Sequence, residues 1–251
     1  MSEAMAAEFD TVAEWTARVA IDLGSSFKIP AACRGSGSPT ALDWLIENLG
    51  LSQGESLLDC GAGVGGPAAY AVEQRSVHPL LVEPEPGACR AARSLFGHPV
   101  VRASASALPV GDESFDVAWS LGVLCTVLDQ LGLLTELRRV IRPTGRIGLL
   151  VFIARSSKPF DHPEGNHFPT EEGLLALLEE AGLGIEAWRG TEEMASPTGD
   201  WQCRVDKVAA ELAERHGGER AWQLAERQSE LIGQLLAKSV VTGELLTLHR
   251  R

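Results

Sequence analysis

The apolar positions change their rhythm along the chain. Near the start, Met5, Phe9, Val12, Trp15 and Val19 recur at spacings of four and three, which predicts a helix over 3–22 with these residues on one face. A loop rich in Gly, Ser and Pro, Gly35–Pro39, leads to a helix over Thr40–Leu49 that Gly50 ends. From Ser56 short apolar runs alternate with amphipathic ones. Strands are expected at Ser56–Asp59, Pro79–Glu83, Pro99–Arg102, Phe115–Ser120 and Arg146–Ile153. Helices are expected between them at Pro67–Gln74, Gly87–Phe96 and Leu128–Ile141, the last closed by Pro143 and Gly145. Strands apolar on both faces and separated by helices indicate an α/β chain with a mostly parallel sheet covered on both sides.

Beyond the loop Arg155–Phe168 come a helix over Thr170–Ala181, capped by Thr170, and a strand over Gly184–Trp188. The alternation then stops. Asp200 to about Lys238 reads as one or two helices broken at Gly217-Gly218, and Leu245–Leu248 as a last strand. Trp201, Val205, Val208 and Leu212 share one helical face; Trp222, Ala225, Leu231 and Leu235 suggest another.

Composition narrows the classes. The 251 residues are 45% hydrophobic and 22% charged, as in ordinary globular chains, and long enough for a well-buried core. The net charge of −12 repels a polyanion, so a nucleic-acid partner is not expected. No stretch approaches the ~20 apolar residues of a membrane span. Met1 to Asp10 holds Glu3, Glu8 and Asp10 but no Lys or Arg, unlike a signal peptide. Five scattered cysteines without a CxxC fit reduced thiols in a cytoplasmic protein better than disulfides or zinc, and no metal is expected.

The strongest local signal is Leu57-Leu58-Asp59-Cys60-Gly61-Ala62-Gly63-Val64-Gly65-Gly66-Pro67, an apolar strand running through a glycine-dense turn into a helix. Glycines let a ligand approach the backbone, and the helix N-terminal N–H groups face it. Gly61, Gly63 and Gly66 match GxGxxG, with Glu83 as the acidic residue at the end of the next strand. The spacing alone fits a dinucleotide, another nucleoside cofactor, or a purely structural turn.

Neighbouring segments resemble class I S-adenosylmethionine-dependent methyltransferases. Asp59 to Gly66 is similar to the family's first motif, an acidic residue before GxGxG. Ala103-Ser104-Ala105-Ser106-Ala107-Leu108-Pro109 resembles the segment beside the adenine. Asp112 to Ala118 resembles the lead into strand four, and Leu137 to Arg146 the approach to strand five. A six-residue run, Gly63 to Ala68, is similar to sterol- and quinone-type methyltransferases. The resemblance implies a Rossmann-like, mostly parallel seven-stranded sheet with helices on both faces, an antiparallel last strand, N-terminal helices and a helical insertion before that strand. It implies one domain over 1–251: an N-terminal helical cap (1–50), a cofactor-binding core (51–154) and a substrate-side half (155–251) with the insertion at about 200–238.

The implied activity is methyl transfer from S-adenosylmethionine to a small molecule by a monomer or homodimer. By resemblance Gly61, Ala62 and Gly63 border the cofactor, Asp59 orients its methionine end, and Glu83, followed by Pro84, accepts the ribose hydroxyls. Ser104 and Ala105 flank the adenine, and Ser120 and Leu121 face the methionine moiety. The family often has Asp where Ser104 stands, and a histidine pair after strand four where this chain has Leu121 to Thr126, so no base carries over. His162 and His167, in the loop after strand five, are candidates for a base or for an ordinary surface loop. Cys125 is a candidate substrate contact or a core thiol. Trp15 and Trp201 are substrate candidates or core residues, the former reading giving a lid built from the first helix and the insertion. Three alternatives stay open: an NAD(P)-dependent oxidoreductase using the same glycine loop, a non-catalytic S-adenosylmethionine-binding protein, and a protein that uses the same cofactor for a different reaction.

Overall fold

A computed structural model describes residues 3–33, 35 and 37–251. Seven strands form one sheet: β1 (Ser56–Cys60), β2 (His78–Glu83), β3 (Val100–Arg102), β4 (Phe115–Leu121), β5 (Ile141–Ala154), β6 (Leu183–Gly190) and β7 (Val241–Arg250). Their order is β3-β2-β1-β4-β5-β7-β6. The first five run parallel, and β7 lies antiparallel to both β5 and β6, so the sheet is mixed.

Alternate residues of the central strands enter different cores. Leu58, Ala118, Leu149 and Val151 pack beneath α7 (Gln130–Val140) and α8 (Glu171–Glu180). Leu57, Val117, Trp119 and Leu150 pack beneath α4 (Pro39–Asn48) and α5 (Gly66–Arg75). This two-sided burial is why the strands lack an apolar–polar alternation. Ser38 accepts the Ala41 N–H and Thr170 the Gly173 N–H, so α4 and α8 begin at the capping residues.

Several expectations need correction. The helix expected over 3–22 is α1 (Glu3–Ala6), a π-helical stretch (Ala7–Val12) and α2 (Ala13–Leu23). The wider π turns shift the phase, so the buried face is led by small residues such as Ala4, Ala7, Ala17 and Ala20, while Phe9 is exposed. An unanticipated helix, α3 (Ser25–Ala32), follows and contains Pro30. Pro30 leaves the Ser26 carbonyl without its helical donor, and Arg204 donates to that oxygen instead. Of the expected loop Gly35–Pro39, Ser36 lies outside the described residues and Pro39 opens α4. Pro143 and Gly145 do not end α7; they sit in a bulge of β5, where the partner of β4 jumps from Ile141 to Arg146. The last strand is ten residues long instead of four.

The expected break at Gly217-Gly218 separates α9 (Gly199–His216) from α10 (Arg220–Ala237), both between β6 and β7. These helices pack with α2, α3 and α6 (Pro86–Phe96) in a third apolar cluster containing Val19, Ala31, Leu95, Val208 and Trp222. Among the described residues no helix is long and apolar enough to cross a membrane.

Candidate active site

The parallel strands end at one edge of the sheet, and chain order reverses between β1 and β4. Ligands of open α/β sheets bind in the crevice at such a point. Asp59 and Cys60 end β1, Glu83 ends β2, and Ser120 and Leu121 end β4.

Glu83 is 5% exposed. Its Oε2 accepts the Gly63 N–H at 2.8 Å and its Oε1 the Glu85 N–H at 3.0 Å. Each oxygen keeps a lone pair for a further donor. Burial pushes this carboxyl up to about 7, against the pull of those two N–H groups. Asp59 is 2% exposed and its Oδ2 has no hydrogen-bond partner. Burial, reinforced by the charge of Glu83, raises its carboxyl to about 7 as well. The Trp119 indole N–H sits close enough to oppose that shift, yet outside hydrogen-bond geometry. A buried carboxylate oxygen without a donor is costly unless something arrives to meet it.

The glycine loop divides its labour. A Cβ on Gly61 would stand 2.4 Å from Val123, one on Gly65 2.7 Å from Leu81, and one on Gly66 2.4 Å from the Ala32 backbone. Only Gly63, at φ +54°, faces open space, which suits approach of a ligand. The end of α3 thus lies against the first turn of α5, where a dinucleotide would place its pyrophosphate. Gly66→Ala is expected to destabilise the fold by about 1–3 kcal/mol, because backbone must yield. A lowered urea midpoint, with 24–33 cleaved sooner by protease, is the expected readout; an unchanged midpoint would contradict that close packing.

Ala62 is buried, and Gly61 and Ala62 both donate to the Val82 carbonyl. Pro84 and Ser104 are exposed at the rim, Ser104 hydrogen-bonded to Ser106, while Ala105 is buried in the core. The Ser120 hydroxyl donates to the Cys60 carbonyl at 3.0 Å, and the Leu121 side chain packs in the core beneath α4. Their main chain, more than their side chains, is therefore left to meet a ligand.

Segments distant in sequence gather around this edge. Gly35 crosses over Gly122, whose Cβ would stand 2.7 Å from the Gly35 carbonyl oxygen. Asp10, in the π-helical stretch, accepts the Gly87 N–H at the start of α6, and Glu14 pairs with Arg90. The His167 N–H donates to the Cys125 carbonyl and Gln130 donates to the His167 carbonyl, tying the loop after β5 to the end of β4. In that loop Gly165 abuts Met5, and the Glu164 N–H donates to Gln228 of α10. Sequence reasoning missed Asp10, Gly35 and Gln228, whose partners are 77, 87 and 64 residues away in the chain.

Among the described residues none of the weaker candidates hydrogen-bonds to Asp59 or Glu83. The His162 and His167 side chains are exposed, and His162 stands edge-on to Phe160 and Phe168. Cys125 is buried, which pushes its thiol up to about 12. Trp15 stacks on His216 at 3.9 Å, and Trp201 meets Tyr70 edge-on beside the α4–α5 core. No group of three or more metal-ligating side chains occurs among the described residues.

Residues 58–149 match the family described as a methyltransferase domain. The methyltransferase GfsG of Streptomyces halstedii is 26% identical over 180 residues, covering 62% of each chain. The malonyl-[acyl-carrier protein] O-methyltransferase of Pseudescherichia vulneris is 31% identical over 159 residues, covering 59% of each. The chain thus spans about three fifths of the length of these curated relatives. In fold it is similar to the cyclopropane synthase MmaA2 of Mycobacterium tuberculosis, with a TM-score of 0.66, 16% identity and 82% of both chains covered. Nothing in these matches favours a nicotinamide oxidoreductase. The stretch 58–149, which carries Asp59, the glycine loop and Glu83, is thus similar to a methyltransferase domain.

Proposed function

We propose that this protein transfers a methyl group from S-adenosylmethionine to a small-molecule acceptor. The observation that carries this reading is the pair of buried carboxyls, Asp59 and Glu83, at the ends of adjacent strands beside the open face of Gly63. Glu83 would accept the two ribose hydroxyls with the lone pairs that Gly63 and Glu85 leave free. Asp59, with its unpartnered oxygen, would meet the ammonium of the methionine end. Gly61, Ala62 and Gly63 would border the cofactor, with the 120–121 main chain beside its methionine portion. Pro84, Ser104 and Ala105 would border the adenine side.

When bound, the cofactor supplies a methyl on a sulfonium, already activated for in-line displacement. The work left to the chain is alignment and exclusion of water. The buried Cys125 thiol stays protonated near neutral pH and is a poor base. His162 and His167 remain the candidates wherever the acceptor must lose a proton.

The cap (1–50), the core (51–154) and the half beyond 155 are read as one domain whose first helices and 199–237 insertion cover the acceptor. The Met5–Gly165 and Gln228–Glu164 contacts support this arrangement, and the net charge of −12 favours a small molecule over nucleic acid. The test is incubation with S-adenosylmethionine labelled at the methyl and a fractionated cell extract. Label entering the small-molecule fraction is expected. Label appearing only in protein or RNA would overturn the acceptor class.

A further inference from the structure

A second cavity, of about 340 Å³, lies outside the cofactor crevice, between α2, α3, α9 and α10. Its size is at the lower end of the roughly 300–1,000 Å³ of small-molecule sites. Its walls are apolar: Ala31, Val205, Val208, Leu212 and Trp222. At its mouth stand Ser229 and two carboxylates, Glu226 and Glu230, one helical turn apart on α10.

Among the described residues neither carboxylate lies within ion-pair distance of a cation. Among the described residues Arg204 pairs with Asp200, Lys207 with Glu211, Arg215 with Asp22 and Arg220 with Glu3, while Arg227, next to Glu226 on α10, forms no ion pair with either carboxylate. Like charges four residues apart weaken a helix, so the arrangement carries a small cost. An apolar chamber with an acidic mouth is complementary to a molecule with an apolar body and a positive end. The Trp222 ring adds a face that attracts a cation brought within about 6 Å.

We propose that this cavity binds a hydrophobic amine, its hydrocarbon part among Val208, Leu212 and Trp222 and its ammonium between Glu226 and Glu230. The cavity and its charge are independent of the cofactor crevice, so binding can be read without methyl transfer.

The probes are decylamine, decanol and decanoate, which share one chain length and differ in charge. Each is titrated calorimetrically into the full chain below its micelle concentration. Decylamine is expected to bind about tenfold more tightly than decanol, from two partly exposed ion pairs, and decanoate more weakly than either. The double variant Glu226→Gln, Glu230→Gln should abolish the preference for the amine while decanol still binds. Ala209→Trp, an exposed position at the cavity wall, should block all three. Thermal unfolding of each variant establishes that it is folded. Equal binding of amine and alcohol, an amine preference that survives the double variant, or no binding of any probe to the folded wild type would each overturn the proposal.

Discussion

Replacing Glu83 by alanine is expected to weaken S-adenosylmethionine binding by about a hundredfold or more. Hydrogen bonds to a charged group are worth about 1.5–3 kcal/mol each, so losing two ribose contacts costs at least about 3 kcal/mol. The same change frees the Gly63 and Glu85 N–H groups, so the loop that borders the ligand loses its anchor. A pH signature accompanies the effect. Glu83 and Asp59 lie at about 7 in the fold, well above the ~4 of exposed carboxyls. The free protein therefore holds extra protons between about pH 4 and 7, and its stability falls as pH rises through that window. Ligand binding needs the ionised forms, so affinity is expected to drop as pH is lowered from 8 to 6. The slope should be about tenfold per unit below pH 7 for each carboxyl that must shed a proton. Calorimetric titrations of wild type and Glu83→Ala at both pH values measure this; a pH-independent wild-type affinity would contradict the assigned charges.

Asp59→Asn should separate stability from binding. At pH 8 the wild type holds an ionised carboxylate that is buried and lacks a partner on Oδ2. Removing that charge is expected to stabilise the unliganded protein by about 1–3 kcal/mol, since a buried charge costs several kcal/mol and an amide far less. Cofactor affinity should nevertheless fall by roughly a hundredfold, because the ammonium of the methionine end loses its counter-charge. Urea unfolding at pH 8 with and without S-adenosylmethionine reads both effects. A variant that is less stable and binds normally would make Asp59 a structural residue only.

Much of the sheet was legible because each strand sits between a glycine or proline turn and an amphipathic helix. The segments that resemble family motifs were legible too, and two of them turn out to be ion-pair clamps. Asp116 accepts from the Ser56 N–H and hydroxyl and pairs with Arg142, and Arg139 joins Asp112 to Glu136. Although burial raises the Asp116 carboxyl, Ser56 and Arg142 together draw it below the usual range. Asp116 and Arg142 hold the bulge where β4 meets β5, and Glu136 and Arg139 hold the Leu108 main chain.

The N-terminal region was least legible. A π-helical stretch breaks the 3.6-residue period, so of the residues expected on one face Val12 and Val19 are buried while Phe9 is exposed. Pro30 concealed α3, since the donor to its orphaned carbonyl, Arg204, comes from 178 residues away. The unpartnered Asp59 oxygen and the Ser120–Cys60 bond depend on contacts between strands that sequence spacing does not encode.

The crevice lined by Asp59, Gly63 and Glu83 is expected to hold S-adenosylmethionine. Calorimetric titration of the full chain with S-adenosylmethionine and, separately, with NADH tests it most directly. Saturable single-site binding of S-adenosylmethionine with no response to NADH is the expected result. No binding of S-adenosylmethionine or its demethylated product, with NADH saturating instead, would contradict it.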